Sequence, residues 1–383
     1  MSVRAVLACL VTLALACTSA PWRRDRVAIT LDELLAGHPL GMEGDLPALV
    51  DEKEVLAVSA GMRDFLDAHV ASTAGRVARL RQLAHAIISE GAFGLEYDET
   101  TRTAPQTFQA RRGNCLSFSN MFVAMARQVA LDVYYQEVDT PPDWSFRDGV
   151  FILNRHVNVL VDLGMEGEHV VDFNMDDFRT SYVRRRISDA RALAHYYNNM
   201  AVERMQAGDT ASALLYFRRA TSSDHLFSPA WTNLGILYWR KGQPAYAEAA
   251  YLRALKADEG DLVTMSNLAS LYERRGDQAR AAFYRSRVAD HRQRNPYYRY
   301  QLARDAFQAG DYDAAIGHLS YAIRTKNEDQ FYFLLGLSHM KKGNAQAARR
   351  WLSRAEAVAA TDALKRRYAS KIDILTSAPP DDR

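Results

Sequence analysis

At 383 residues the chain has material for two or more domains with real cores, and 48 basic against 46 acidic residues, interspersed, leave a formal charge of +2 with no basic face that asks for nucleic acid. The three cysteines, Cys9, Cys17 and Cys115, have no zinc-ligand spacing. There is no Gly-rich phosphate loop and no G-x-S-x-G, so metal, nucleotide and serine-hydrolase readings lack support and no cofactor is expected.

Residues 1–16 carry Arg4 and then the apolar run Ala5 to Ala16, too short to span a bilayer as a mature helix and of the form of an export signal peptide. Loss of Arg4 with that leader leaves a charge of +1. Leu13-Ala14-Leu15-Ala16-Cys17 resembles a bacterial lipoprotein box, which implies lipidation of Cys17 and a lipid anchor as the sole membrane attachment. With Thr18 rather than aspartate after the cysteine, the resemblance implies a cell-envelope protein on the outer membrane, facing the periplasm. Ala14-Leu15-Ala16 also fits ordinary signal peptidase, and a Cys17–Cys115 disulfide is the alternative if Cys17 carries no lipid. Residues 17–50, with Pro21, Pro39, Gly41, Gly44 and Pro47, read as a tether.

A first domain is expected over 51–190. Val50 to Ser89 is a helical stretch, broken near Gly61 and Ser72-Thr73. Gly113-Asn114 is a turn pair, after which Phe118, Met121, Phe122, Met125 and Val129 recur at the spacing of a helix burying one face. Cys115 therefore stands at a helix N-terminus, where unpaired N–H groups and the positive end of the macrodipole favour an anion. The plain alternative is a buried small apolar residue. Val133 to Val138, His156 to Val161 and His169 to Phe173 are strand-like; Asp139 to Gly149, with Trp144 and Phe146, is a loop suited equally to a substrate wall or to covering apolar surface. In the middle run the valines share one face, so His156 and Asn158 share the other. Cysteine on a helix, histidine on one strand and aspartate on the next make a Cys115-His156-Asp172 site, with His169 in reserve.

This order, with Gly-Asn-Cys-Leu-Ser-Phe at the helix start, resembles the transglutaminase-like superfamily of papain-like cysteine enzymes over roughly residues 60 to 180. The resemblance implies Cys115 as nucleophile, His156 as base and Asp172 as orienting acid, with Asp176 and Asp177 close by as other acids. It implies a second oxyanion donor upstream, for which Gln106 is a candidate. Asn158 departs from the aromatic residue often found two places after the histidine.

A different pattern begins near residue 194. Gly208, Gly242, Gly276, Gly310 and Gly343 are spaced by 34, 34, 34 and 33 residues, and Ala213, Ala247, Ala281, Ala315 and Ala348 keep the same steps. This is the tetratricopeptide period, and five units fit over 194–361, with a capping helix at 362–376 and a polar tail at 377–383. The expected fold class is thus α+β, a papain-like/transglutaminase-like core followed by an all-α tetratricopeptide-repeat solenoid. Arg184-Arg185-Arg186 and Lys365-Arg366-Arg367 read as solvated helix ends. Asn199, Asn233, Asn267 and Gln301 fall at one place of successive repeats, a row of amides suited to an extended peptide backbone, with Trp239, Tyr300 and Phe333 as apolar neighbours. A structural role, bonding the neighbouring helix, is the alternative for these amides.

Two functions of different class follow. One is a cell-envelope cysteine enzyme that cleaves or transfers peptide or isopeptide acyl groups, its repeats recruiting a protein substrate. The other is a non-catalytic envelope adaptor whose repeats bind a protein or peptide partner.

Overall fold

The computed structural model describes residues 29–42, 47–88, 93–139, 144–147, 150–153, 156–173, 183–359, 364–366 and 368–371. The leader, Cys17, Asp176, Asp177 and the tail 377–383 lie outside the described residues. Among the described residues no helix is long and apolar enough to cross a membrane.

Where an irregular tether is expected, α1 (Leu31–Ala36) and a 3-10 turn (His38–Leu40) form instead. Thr30 and Glu33 cap α1 reciprocally. The far end of α1 leaves carbonyls that its own helix cannot pair, and residues of the repeats supply the donors. Arg218 Nη2 donates to the Ala36 carbonyl at 2.6 Å, Arg218 Nε to that of Leu35, and the Tyr238 hydroxyl to that of Leu34.

The helical stretch resolves into α2 (Glu52–Val55), α3 (Ala60–His69) and α4 (Arg76–Ile88); the first break precedes the Ser59 N-cap, and Gly61 lies inside α3. A short parallel pair, β1 (Glu96–Tyr97) with β2 (Arg112–Gly113), encloses α5 (Ala104–Ala110), and α6 (Cys115–Gln128) follows at once. Then come β3 (Asp132–Asp139), an antiparallel hairpin of β4 (Trp144–Arg147) and β5 (Val150–Leu153), β6 (His156–Asp162), β7 (Glu168–Val171) and β8 (Val183–Ile187). The hairpin replaces part of the expected loop. One antiparallel sheet has the order β7-β6-β3-β8. Its register pairs Val133 with Val161, Tyr135 with Val159 and Glu137 with Val157. The apolar members of this set join the core that holds Met121, Phe122 and Met125 of α6, and the Tyr135 hydroxyl donates to Asn120 Oδ1 at 2.8 Å. Gln136, Asn158, Val138 and His156 form the alternate set.

Five helix pairs complete the chain: α7 (Asp189–Gln206) with α8 (Thr210–Ser223), α9 (Ser228–Arg240) with α10 (Pro244–Ala257), α11 (Leu262–Arg274) with α12 (Gln278–Arg294), α13 (Pro296–Gln308) with α14 (Tyr312–Thr325), and α15 (Asp329–Lys341) with α16 (Ala345–Val358). The periodic glycine follows the first helix of each pair at positive φ, with values of 82°, 69°, 76°, 81° and 75° from Gly208 to Gly343. It reverses the chain where an L side chain would be strained. The periodic alanines are fully buried between the paired helices. Residues 364–366 and 368–371 are helical, and buried Tyr368 closes the array by donating to Asp329 Oδ2 at 2.9 Å.

The N-terminal unit and the first three pairs share one hydrophobic core, running from Leu34 to Val288, while the fourth and fifth pairs pack around separate clusters. At the junction Glu137 of β3, 3% exposed, meets Arg185 at 2.8 Å, Arg191 at 2.8 Å and His195 at 2.8 Å. Burial alone would raise its pKa, but the bonds from His195 and Arg191 hold the carboxyl far below the usual carboxylate range. Arg184 to Arg186 lie on strand β8 rather than at a helix end, and Arg186 pairs with Glu168 at 2.5 Å.

Candidate functional site

Cys115 is the first residue of α6, and its position is set by what precedes it. Asn114 is the N-cap: its Oδ1 accepts the Ser117 N–H at 2.9 Å, and its backbone carbonyl accepts that of Phe118 at 3.1 Å. The N–H groups of Cys115 and Leu116 meet no acceptor among the described residues, so the open helix end beside the sulfur keeps two donors. Gly113 makes this approach sterically feasible, because a Cβ there would stand 2.7 Å from Ser117 Cβ.

His156 opens β6 at the end of the sheet, and Asp172 follows directly on β7. His156 Nε2 lies 2.6 Å from Asp172 Oδ2, and the Cys115 sulfur is near enough to the ring to act on its proton. Burial lowers the His156 pKa, but the bond to Asp172 and then the Cys115 sulfur outweigh it and push the value up to about 10. An imidazolium between a carboxylate and a sulfur is the resulting charge pattern near neutral pH. Asp172 is 2% exposed, and Asn158 Nδ2 donates to the same Oδ2 at 2.9 Å. Asn158 thus fixes the acid that fixes the histidine. Phe118 and Phe173 pack with ring centroids 4.8 Å apart beside the site. Tyr97 borders it: desolvation of its protein-facing side, and then the Cys115 sulfur, push its hydroxyl above its ordinary pKa.

The structure therefore brings Cys115, His156 and Asp172 together. His169 is exposed on β7, away from this group. Gln106 caps α5: its Oε1 accepts the Thr103 N–H at 3.1 Å and closes the capping box. Asn114 and Asn158 were readable as partners, since a Gly-Asn pair before a helix is also a capping signal and Asn158 shares a strand face with His156. No local pattern points to Glu137.

The amide row is uneven. Asn233 Nδ2 donates to Asn198 Oδ1 at 2.9 Å, tying α9 to α7, and Asn267 is 3% exposed. Gln301 is exposed and donates within its own helix to Asp305 at 2.9 Å, while Asn199 is half-buried. Trp239 is half-buried with the Arg274 guanidinium 5.5 Å from its ring. Tyr300 packs on Phe331 and Phe333 on Tyr368, so both rings belong in part to the array's own packing.

In comparisons with known proteins, the Tetratricopeptide repeat family matches residues 198–261 and 300–363. No curated protein matches the chain. Among solved structures, MamA is 18% identical over 46% of this chain and 94% of its own, at a TM-score of 0.25. YrrB, described as a TPR protein with an unusual peptide-binding site, is 19% identical over 46% of this chain and 92% of its own, at 0.25. PilF of Pseudomonas aeruginosa is 16% identical over 49% and 89%, at 0.26. These comparisons lend no support to the transglutaminase-like resemblance of the N-terminal unit. The family match and the five helix pairs agree on the remainder: the C-terminal half of this chain is a tetratricopeptide-repeat array.

Proposed function

We propose that the repeat array binds a protein partner in an extended segment. The observation that supports this reading is the continuous stack of five helix pairs, since such arrays present an elongated concave surface and tetratricopeptide proteins commonly bind peptides or proteins. A fluorescent, reduced and carboxymethylated protein serves as an extended-chain probe. Saturable binding is expected, weakened about tenfold by Asn199→Ala combined with Gln301→Ala, a loss of about 1.4 kcal/mol. Absence of saturable binding to both the unfolded probe and its folded parent would overturn the reading.

A second reading rests on a different observation, the meeting of Cys115, His156 and Asp172. In it the N-terminal unit is a transglutaminase-like cysteine enzyme acting on the partner that the array holds. The Cys115 sulfur attacks an amide carbonyl, and the N–H groups at the start of α6 hold the oxyanion. His156 then protonates the leaving amine, giving a thioester, and water or a second amine releases the acyl group. Asp172 holds the imidazole in place throughout. The envelope setting belongs to this reading through Cys17. Its test is the reactivity of Cys115 with and without His156: a rate unmoved by His156→Ala would leave the adaptor function alone.

A further inference from the structure

A cleft of about 630 Å³ lies between α5 and the first helix pair of the array, α7 and α8, and Cys115 is not among its lining residues. The lining holds polar groups whose bonding capacity the chain leaves unused. Glu203 of α7 is half-buried, and its Oε1 accepts the Thr101 N–H at 2.8 Å, but no cation pairs with the carboxylate among the described residues. Burial pushes its pKa up, as expected of a carboxylate short of a counterion. Tyr196 is 1% exposed, and its hydroxyl has no hydrogen-bond partner among the described residues. Burial holds that hydroxyl above its ordinary pKa, so it is a protonated donor near neutral pH. Tyr216, 4% exposed, accepts the Val50 N–H at 3.4 Å with its hydroxyl oxygen and gives its own proton to no acceptor among the described residues.

A buried hydroxyl without a partner and a half-buried carboxylate without a counterion each cost free energy that a bound ligand recovers. The groups ask for opposite chemistry: Glu203 for a cationic N–H donor, the tyrosine protons for an acceptor. Arg204 is exposed in the same lining and has no ion pair among the described residues, so the acceptor that fits is an anion. Arg102 is less free, because its Nη1 is held by Asp98 at 2.6 Å. A cation alone would be repelled by Arg204, and an anion alone by Glu203. A ligand with both charges on neighbouring atoms meets each group with its opposite and takes both hydroxyl protons. Val50 and Met200 add apolar surface to the lining, and the volume falls within the range of about 300–1,000 Å³ usual for small-molecule sites.

We propose that this cleft binds a free α-amino acid with an apolar side chain. Its ammonium pairs with Glu203, its carboxylate takes the Tyr196 and Tyr216 protons and faces Arg204, and its side chain lies along Val50 and Met200. The ligand joins α7 of the array to α5 of the N-terminal unit, and the site stands whether or not Cys115 is a nucleophile.

The test is isothermal titration calorimetry of the full chain with L-leucine and L-phenylalanine, beside L-leucinamide and N-acetyl-L-leucine, with each variant's unfolding temperature measured in parallel. Saturable binding of at least one of the two amino acids is expected, with both capped forms at least about tenfold weaker than L-leucine or silent, since each lacks one charged contact. Glu203→Gln keeps an acceptor for the Thr101 N–H but loses the charge, and should weaken binding about 10- to 100-fold. Tyr196→Phe keeps the ring and removes an oxygen that bonds nothing in the free chain. It should weaken binding about 3- to 10-fold and leave the unfolding temperature within about 2 °C of wild type. No saturable heat from either amino acid up to about 10 mM would overturn the proposal. Equal binding of L-leucinamide would overturn it in favour of a plain amine site. Wild-type affinity in both Glu203→Gln and Tyr196→Phe would also overturn it, by placing the ligand elsewhere.

Discussion

At the residue scale, His156 is a group whose protonation the fold controls. Its pKa stands near 10 against an ordinary 6.5, so the folded state binds the proton more tightly than the unfolded chain. The sign follows: the stabilisation is complete below the unfolded value and is lost as pH rises through about 10. Asp172→Asn removes the principal cause. The stability difference between wild type and Asp172→Asn, measured by urea unfolding, should therefore be about 2 kcal/mol at pH 6 and shrink toward zero by pH 10, given that each pKa unit is worth about 1.4 kcal/mol. A difference that is constant across this window would show that Asp172 does not hold the His156 proton. The three residues themselves were legible: helical spacing placed Cys115 at a helix start, and strand alternation placed His156 beside Asn158. Their meeting was less so. His156 belongs to the strand set opposite the valines, and it reaches Cys115 because it stands at the end of the sheet where α6 begins.

At the element scale, the repeat pattern was readable because one physical constraint recurs in every copy. The turn glycine must have positive φ, and the alanine must fit between paired helices. A second small place recurs between paired helices: Gly235 and Gly336 occupy the same position in the second and fifth pairs. A Cβ on Gly235 would stand 2.4 Å from the buried Tyr251 ring, and one on Gly336 would stand 2.7 Å from Leu352. Gly317, in the middle of α14 and exposed, has nothing within 4 Å of its would-be Cβ. The same substitution should thus have opposite signs. Gly235→Ala gains about 1 kcal/mol of helix propensity but forces a packed ring aside, and overpacking at about 1–3 kcal/mol wins. Gly317→Ala meets no such cost and should raise stability by about 0.5–1 kcal/mol. Thermal unfolding of the two variants checks the pair; equal shifts would contradict the packing account. The tether and the Arg184–Arg186 run were misread at this scale, because turn composition and charge do not report docking partners. The α1 carbonyls found Arg218 and Tyr238, and the arginines found Glu137 and Glu168 across the sheet.

At the scale of the whole molecule, the chain is not a catalytic-type unit strung to a separate array. A single core spans the sheet, α6 and the first three helix pairs, and the buried Glu137 with Arg191 and His195 ties β3 to α7. None of this was legible, since such contacts join residues more than fifty positions apart with no periodic signal. β5, on the hairpin that leads into His156, packs against α11, the first helix of the third pair. The state of Cys115 decides between the enzyme and adaptor readings. The most direct measurement is the second-order rate of Cys115 alkylation by iodoacetamide near pH 7, in wild type and in His156→Ala. A thiol paired with an imidazolium should react at least about tenfold faster than glutathione and lose most of that advantage without His156. Equal rates in wild type, His156→Ala and glutathione would contradict it.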